Sequence, residues 1–345
     1  MNEYKKQWQE LNSELREIES RSGDLRAVFT ALHTHQLGTG FIRNELDAVE
    51  RFSFCHPEAG SRCLRIQFNP VRATRTGGAG RKSPPPGTSS HFDGCFLCPA
   101  NIEWQHQGRQ SGYELNINQN LFIAWMNPFP LLSGHVILAS REHLSQEWSL
   151  HPSGDIQPER IVADLVDLTA RSPGYTGFYN GVDAGASIPG HLHYQLIKPP
   201  ESHRLFPLEI EAQTARKAQP GKSSWHLGGY PVESMHWYGR PDEILDKSAR
   251  WISRWAAQQQ HLPELTANIL ATSDEQGGGV SLFFVPRDRQ KNQAFGLSGK
   301  VGGLEVLGEL VFSTNEEKDL LESGQLDYFK LERALAEVRT PMNMP

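Results

Sequence analysis

Three polar side chains, His191, His193 and Gln195, alternate with Leu192, Tyr194 and Leu196 in the segment HLHYQL. In an extended strand, residues two apart share a face. The segment would therefore present two imidazoles and one amide together and turn its apolar residues the other way. The run before it, NGVDAGASIPG from Asn180 to Gly190, is rich in Gly, Ala and Ser. Glycine lets a backbone come close to a ligand, and successive N–H groups can cradle an anion. The combination predicts a site for a phosphorylated ligand rather than a solvated strand face. A second cluster is Cys95 and Cys98, whose C-x-x-C spacing is half of a tetrahedral zinc site. A rival reading makes His191 and His193 two ligands of one catalytic metal in a hydrolase. It lacks a carboxylate in a neighbouring motif, and Gln195 is a poor zinc ligand.

Several elements must hold these residues in place. Trp8, Leu11, Leu15 and Ile18, then Leu25, Val28, Phe29 and Leu32, recur at helical spacing, which predicts an amphipathic helical cap over residues 1–36. RCLRIQF (62–68) alternates like a half-buried strand. The Pro/Gly/Ser-rich run VRATRTGGAGRKSPPPGTSSHFDG after it predicts a mobile loop. LFIAWMNPFP, a turn at Ser133-Gly134 and HVILAS read as strand, turn and strand, and residues 158–171 as a helix. Residues 211–224 have the composition of a linker or active-site loop. ANILATS, a Gly-rich turn and VSLFFVPRDR echo the order of FIAWMNPFP, turn and VILASREH, which suggests a duplicated unit whose second copy lacks the histidines. The C-terminal NEEKDLLESGQLDYFKLERALAEV predicts helix with a break at Gly324.

The pattern N-G-x-x-x-G-A-S…H-x-H-x-Q resembles the signature of one branch of the histidine-triad superfamily. That branch holds the galactose-1-phosphate uridylyltransferases and the diadenosine tetraphosphate phosphorylases. NPFPLLSGHVILASREH is similar to the superfamily's strand–turn–strand, with its N-x-x-P, its G-H and its terminal histidine. VSLFFVPRDR and AFGLSG resemble the C-terminal part of the phosphorylases, and IQFNPVR with CFLCPAN-x-x-x-Q resembles a bacterial family of unassigned activity within the branch. These motifs are scattered over roughly residues 64–315 and leave out the helical N-terminus.

The resemblance implies an α+β fold: antiparallel sheets with flanking helices, in two tandem histidine-triad-like halves, the second degenerate. The expected organisation is a helical cap (1–50), a first half with the site (51–205), and a second half with C-terminal helices (206–345). It implies that His193 attacks a nucleotide's α-phosphorus to give a covalent nucleotidyl-histidine, resolved by a second substrate in ping-pong fashion. Such an attack needs a neutral imidazole with Nδ1–H held by an acceptor. Gln195, Ser187 and loop amides would stabilise the phosphoryl charge without metal. Asn180, Gly185 and Ala186 fall on substrate-binding positions, and Arg72, Arg75, Lys222 and Arg287 or Arg289 are the candidate phosphate cations. The zinc-containing uridylyltransferases imply a structural Cys2His2 zinc on Cys95, Cys98, His143 and His191, with no organic cofactor. His33, His35, His135, His151, His226 and His236 are read as structural, and Cys55 and Cys63 as ordinary buried or free thiols.

Candidate substrates are a nucleoside polyphosphate or a nucleotide sugar, with phosphate or a sugar phosphate as second substrate. The phosphorylase-like C-terminus and the uridylyltransferase-like zinc set pull in different directions. A nucleotide-binding sensor without turnover is the non-enzyme alternative. The 345 residues carry 21% charged side chains and a net charge of −6, which fits a soluble protein and argues against nucleic-acid or membrane partners. No apolar run nears the roughly 20 residues that span a bilayer, and the charged N-terminus does not resemble a signal peptide. The expectation is a cytoplasmic monomer or homodimer with reduced thiols.

Overall fold

A computed structural model of the chain describes residues 2–43, 46–60, 62–72, 83–149, 156–259, 265–274, 278–294 and 299–342. Arg75, His151 and the stretch 73–82 of the Pro/Gly/Ser-rich run lie outside the described residues.

Helices α1 (Glu3–Ser22) and α2 (Leu25–Gly38) form where the helical spacing predicts them, capped by the Asn2 and Asp24 side chains. Their apolar stripes bury Leu11, Leu15, Leu25, Val28, Phe29 and Leu32. Two polar side chains fix them to the body. Asn12 donates to the Gly112 carbonyl and accepts from the Glu114 N–H, both at 2.8 Å. Gln36 accepts from the Met126 N–H at 2.8 Å and donates to the Ser111 carbonyl.

A small sheet combines β1 (Glu50–Cys55), β2 (Cys63–Phe68) and a strand from near the C-terminus, with β2 central. The main sheet holds β3 (Tyr113–Ile117), β4 (Asn120–Met126), β5 (Val136–Ser140), β6 (Thr176–Asn180), β7 (His193–Ile197), β8 (Ser224–His226), β9 (Met235–Gly239), β10 (Leu265–Ser273) and β11 (Val280–Asp288). The third strand of the small sheet is β12 (Glu309–Phe312), parallel to β2. In the main sheet all neighbours are antiparallel, in the order β3-β4-β5-β7-β6-β10-β11-β9-β8.

Read outward from the β6–β10 pair, β7, β5 and β4 on one side mirror β11, β9 and β8 on the other. Helices α3 (Pro99–Gln105) and α4 (Pro158–Arg171) belong to the first side, α5 (Pro207–Ala218) and α6 (Pro241–Gln258) to the second. Helices α4 and α6, which precede β6 and β10, pack together. In this order β10–β11 occupy the places that β6–β7 hold on the other side, whereas the sequence echo set them against the β4–β5 hairpin. Residues 211–218, expected as linker, belong to α5, because Leu208 and Ala212 bury one face of it.

Three short helices complete the chain: α7 (Gly303–Val306), α8 (Asn315–Glu322) and α9 (Tyr328–Glu337). The break between α8 and α9 contains Gly324 at φ 65°, as expected. Cys55 and Cys63 form a disulfide, contrary to the expectation of separate thiols. They are cross-strand partners in the β1–β2 pair, and the turn between them brings their Cα atoms to 4.0 Å. Among the described residues no helix is long and apolar enough to cross a membrane.

Candidate active site

Alternation along β7 sends Tyr194 into α4, where its hydroxyl donates to Asp164 Oδ2 at 2.9 Å. His193 and Gln195 project from the opposite face. They share it with their cross-strand partners Ala139 and Ile137 on β5 and Phe178 on β6. The His193 ring is 4% exposed, and its Nδ1 donates to the His191 carbonyl at 2.8 Å. This bond fixes the tautomer and leaves Nε2 with the lone pair. Burial pushes the ring's pKa down to about 4, so it is neutral near pH 7.

Gln195 is oriented by a residue that sequence reasoning had set aside as structural. His135 accepts from the Leu131 N–H at Nδ1 (3.1 Å), which places its proton on Nε2. Nε2–H then donates to Gln195 Oε1 at 2.9 Å. With its carbonyl held, the Gln195 amide has its NH2 free to donate on the His193 face.

A second overlooked residue is Gln146, fully buried between the strands. Pairing of β6 with β7 ends at Phe178–Gln195. Beyond that pair Gln146 accepts from the His193 N–H (2.8 Å) and donates to the Asn180 and His193 carbonyls (2.8 and 3.1 Å). One side chain thus satisfies backbone groups that the ladder would otherwise pair, and it parts the strands where His193 stands.

Cys95, Cys98, His143 and His191 form the second centre. Their ligand atoms all lie within 4.8 Å of one another. Cys98 Sγ is 3.0 Å from His143 Nδ1 and 3.6 Å from His191 Nδ1, and Cys95 Sγ is 3.4 Å from His191 Nδ1. Sulfur and nitrogen ligands on a tetrahedral zinc would be about 3.5 Å apart, so these four residues fit a metal. Contact with Cys98, and then with His191, holds the Cys95 thiol well below its usual range. Outer contacts fix the ligands. His191 Nε2–H donates to the Ser140 carbonyl at 2.7 Å, and the His143 ring stacks on Phe92 at 3.9 Å. Asn101 donates to the His91 and Cys95 carbonyls at 2.7 and 3.0 Å, and Gln105 donates to the Gly94 carbonyl at 2.6 Å. These bonds account for the CPAN-x-x-x-Q pattern. The strand expected from His191 begins at His193, so His191 lies just before it and belongs to this group, while His193 does not.

Comparisons with known proteins agree with this architecture. Residues 38–198 match the family described as Domain of unknown function (DUF4922). Among curated proteins no sequence matches. The crystal structure of yeast Ap4A phosphorylase Apa2 superposes with a TM-score of 0.56 at 15% identity, covering 90% of this chain and 97% of that one. Its complex with AMP gives 0.56 at 18% identity, over 90% and 96% of the two chains. Its complex with Ap4A gives 0.57 at 15%, over 91% and 98%. The chain shares the fold of yeast Ap4A phosphorylase Apa2 over nine-tenths of its length.

The other expected site residues fall in different places on this fold. Ser187 is exposed in the loop before β7, and Ala186 beside it is buried. Gly185 has φ +95°, and a Cβ there would lie 2.3 Å from Gly302 Cα, so only glycine fits this approach. The Asn180 side chain is occupied inside the protein, its Nδ2 donating to the Gly185 carbonyl at 3.5 Å. Its Oδ1 accepts from Asn268 Nδ2 (2.8 Å) and from the Gly303 N–H (2.9 Å). Arg72 donates to the Phe129 carbonyl at 2.9 Å, on the turn between β4 and β5. Lys222 precedes β8, the edge strand five places from β7, roughly 24 Å away at 4.8 Å per strand, too far to share a phosphate with His193. Arg287 is not a surface cation either, being fully buried, with its Nη1 bound to Asn268 Oδ1 (2.7 Å) and the Val301 carbonyl (2.9 Å). Arg289 pairs with Glu147. His35, His226 and His236 bond or stack with Ser111, Glu233 and Phe283, as structural histidines do.

Proposed function

We propose that the protein is a nucleotidyltransferase acting through a covalent nucleotidyl-histidine on His193. The observation that carries this reading is the pair on β7: a neutral imidazole with Nδ1 pinned beside an amide whose carbonyl is pinned, on one face. His193 Nε2 attacks the α-phosphorus, the P–N bond forms, and the P–O bond to the leaving group breaks with its electron pair. Nδ1–H keeps donating to the His191 carbonyl, which tempers the positive charge on the substituted ring. Gln195, the Ser187 hydroxyl and loop amides donate to non-bridging oxygens. An oxygen of the second substrate then attacks phosphorus, the P–N bond breaks, and the ring returns neutral.

A nucleoside polyphosphate as donor and phosphate as acceptor are favoured over a nucleotide sugar and a sugar phosphate, because the similar solved structures include complexes with AMP and Ap4A. The separation of His193 from the Cys/His group favours this reading over a hydrolase with both histidines on one metal. Zinc on Cys95, Cys98, His143 and His191 would be structural, since four protein ligands leave no open position. We place the reaction in the cytoplasm, where the Cys95 and Cys98 thiols stay reduced and able to bind metal.

The test is incubation with a panel of α-labelled nucleotides followed by a search for acid-labile label on the protein. Label supports the transferase; nucleotide binding with neither label nor turnover would leave a sensor. Gln195→Ala should keep the nucleophile and lose one phosphoryl donor, lowering the rate on the order of 10²–10³. A loss below threefold would mean that Gln195 does not face the phosphate. Cys98→Ser should lower thermal stability more than nucleotide affinity; equal stability with weakened nucleotide binding would remove the structural role.

A further inference from the structure

Asn180 and Asn268 are directly opposed where β6 meets β10, at the seam on which the main sheet is mirrored. Both side chains are buried. Asn268 Nδ2 donates to Asn180 Oδ1 at 2.8 Å and to the Ala184 carbonyl at 2.7 Å. Its Oδ1 accepts from Arg287 Nη1 at 2.7 Å. Arg287 is held in turn by the Val301 carbonyl, and the Gly303 N–H reaches Asn180 Oδ1. The Gly181 N–H donates to the Ala267 carbonyl, the neighbour of Asn268, at 2.9 Å. The loop that leads to His191 and His193 is thereby gripped at Asn180, Gly181 and Ala184, in each case from the far side of the seam. Every strong donor and acceptor of Asn268 has a partner, which sets its amide orientation without ambiguity. A buried guanidinium facing neutral acceptors is costly unless its geometry is used.

We infer that Asn268, braced by Arg287, is a positioning residue that fixes the 181–187 loop against the transferred phosphoryl group. The second side of the sheet thus serves the reaction while contributing no group that touches the reacting atoms. The kinetic part of this inference rests on the transfer reaction proposed above. Its geometric part does not.

Asn268→Asp separates the two sides of the residue. A carboxylate still accepts from Arg287, so the brace survives, but both donors to the loop are gone. In the full-length protein kcat for transfer should fall about 10²-fold, as expected when a reacting group is misplaced by about 1 Å, with KM changed less than fivefold. Hydrogen exchange at the Gly181 and Ala184 amides should speed at least tenfold, while β4 and β5 amides keep their protection. A kcat within threefold of wild type, or unchanged exchange at those two amides, overturns the inference. If Asn268→Asp does not fold, Asn268→Ser is judged by the same exchange measurement. If the wild-type protein transfers none of the nucleotides offered, the transferase reading falls, and the exchange result still decides whether Asn268 holds the loop.

Discussion

His193→Ala is expected to lower nucleotidyl transfer on the order of 10⁴-fold or more, the scale of losing a covalent nucleophile. Labelling from α-labelled nucleotide should vanish with it. The backbone at 193 is held by Gln146, which accepts from its N–H and donates to its carbonyl, and neither bond needs the ring. Neighbouring Tyr194 stays tied to Asp164. The variant should therefore fold, and circular dichroism with thermal melting checks this independently of activity. Wild-type turnover in His193→Ala would end the covalent mechanism.

His191→Ala should lose both the metal and most of the activity. The side chain supplies Nδ1 to the Cys/His group and anchors the strand entrance through Nε2–H to the Ser140 carbonyl. Its backbone carbonyl, which holds His193 Nδ1, survives the substitution as an atom but not in its place. Elemental analysis should find about one zinc per chain in the wild type and in His193→Ala, and none in His191→Ala. Release of metal from His193→Ala would make both histidines ligands, and a metal-dependent hydrolase would replace the transferase.

What the sequence disclosed about the site depended on how close its parts lie in the chain. His193 and Gln195 are legible because strand alternation puts them on one face, whereas His191, expected on that face, stands just before the strand with the Cys/His group. Cys95 and Cys98 announce themselves by spacing, and His143 followed from a resemblance that named its position. Gln146 and Asn268 carried no local signal, and His135, although it is the histidine of the G-H, gave no hint of its partner. Their partners, His193, Asn180 and Gln195, are 47, 88 and 60 residues away, so each role exists only after the sheet forms. Arg287 misled for the same reason: an arginine at a strand end reads as exposed until its buried partners, Asn268 and the Val301 carbonyl, are known. The disulfide required the β1–β2 register, which eight residues of separation did not reveal. The α1–α2 helices and the β7 face were readable from periodicity; the mirrored strand order was not, because alternation says which face a residue takes and nothing of which strand lies beside it.

The parallel pairing of β2 with β12 also sets a timetable. On the ribosome β2 emerges with β1 beside it, well before its other neighbour, β12, is made. Asn268 and Gly303, which grip the loop before His191, arrive late as well. Contacts so distant in the chain form slowly, after a large loss of chain entropy. The histidines are therefore made long before their surroundings close. A nascent chain carries His193 without the geometry around it, and competence for the proposed transfer would come only once β10 and α7 have been made.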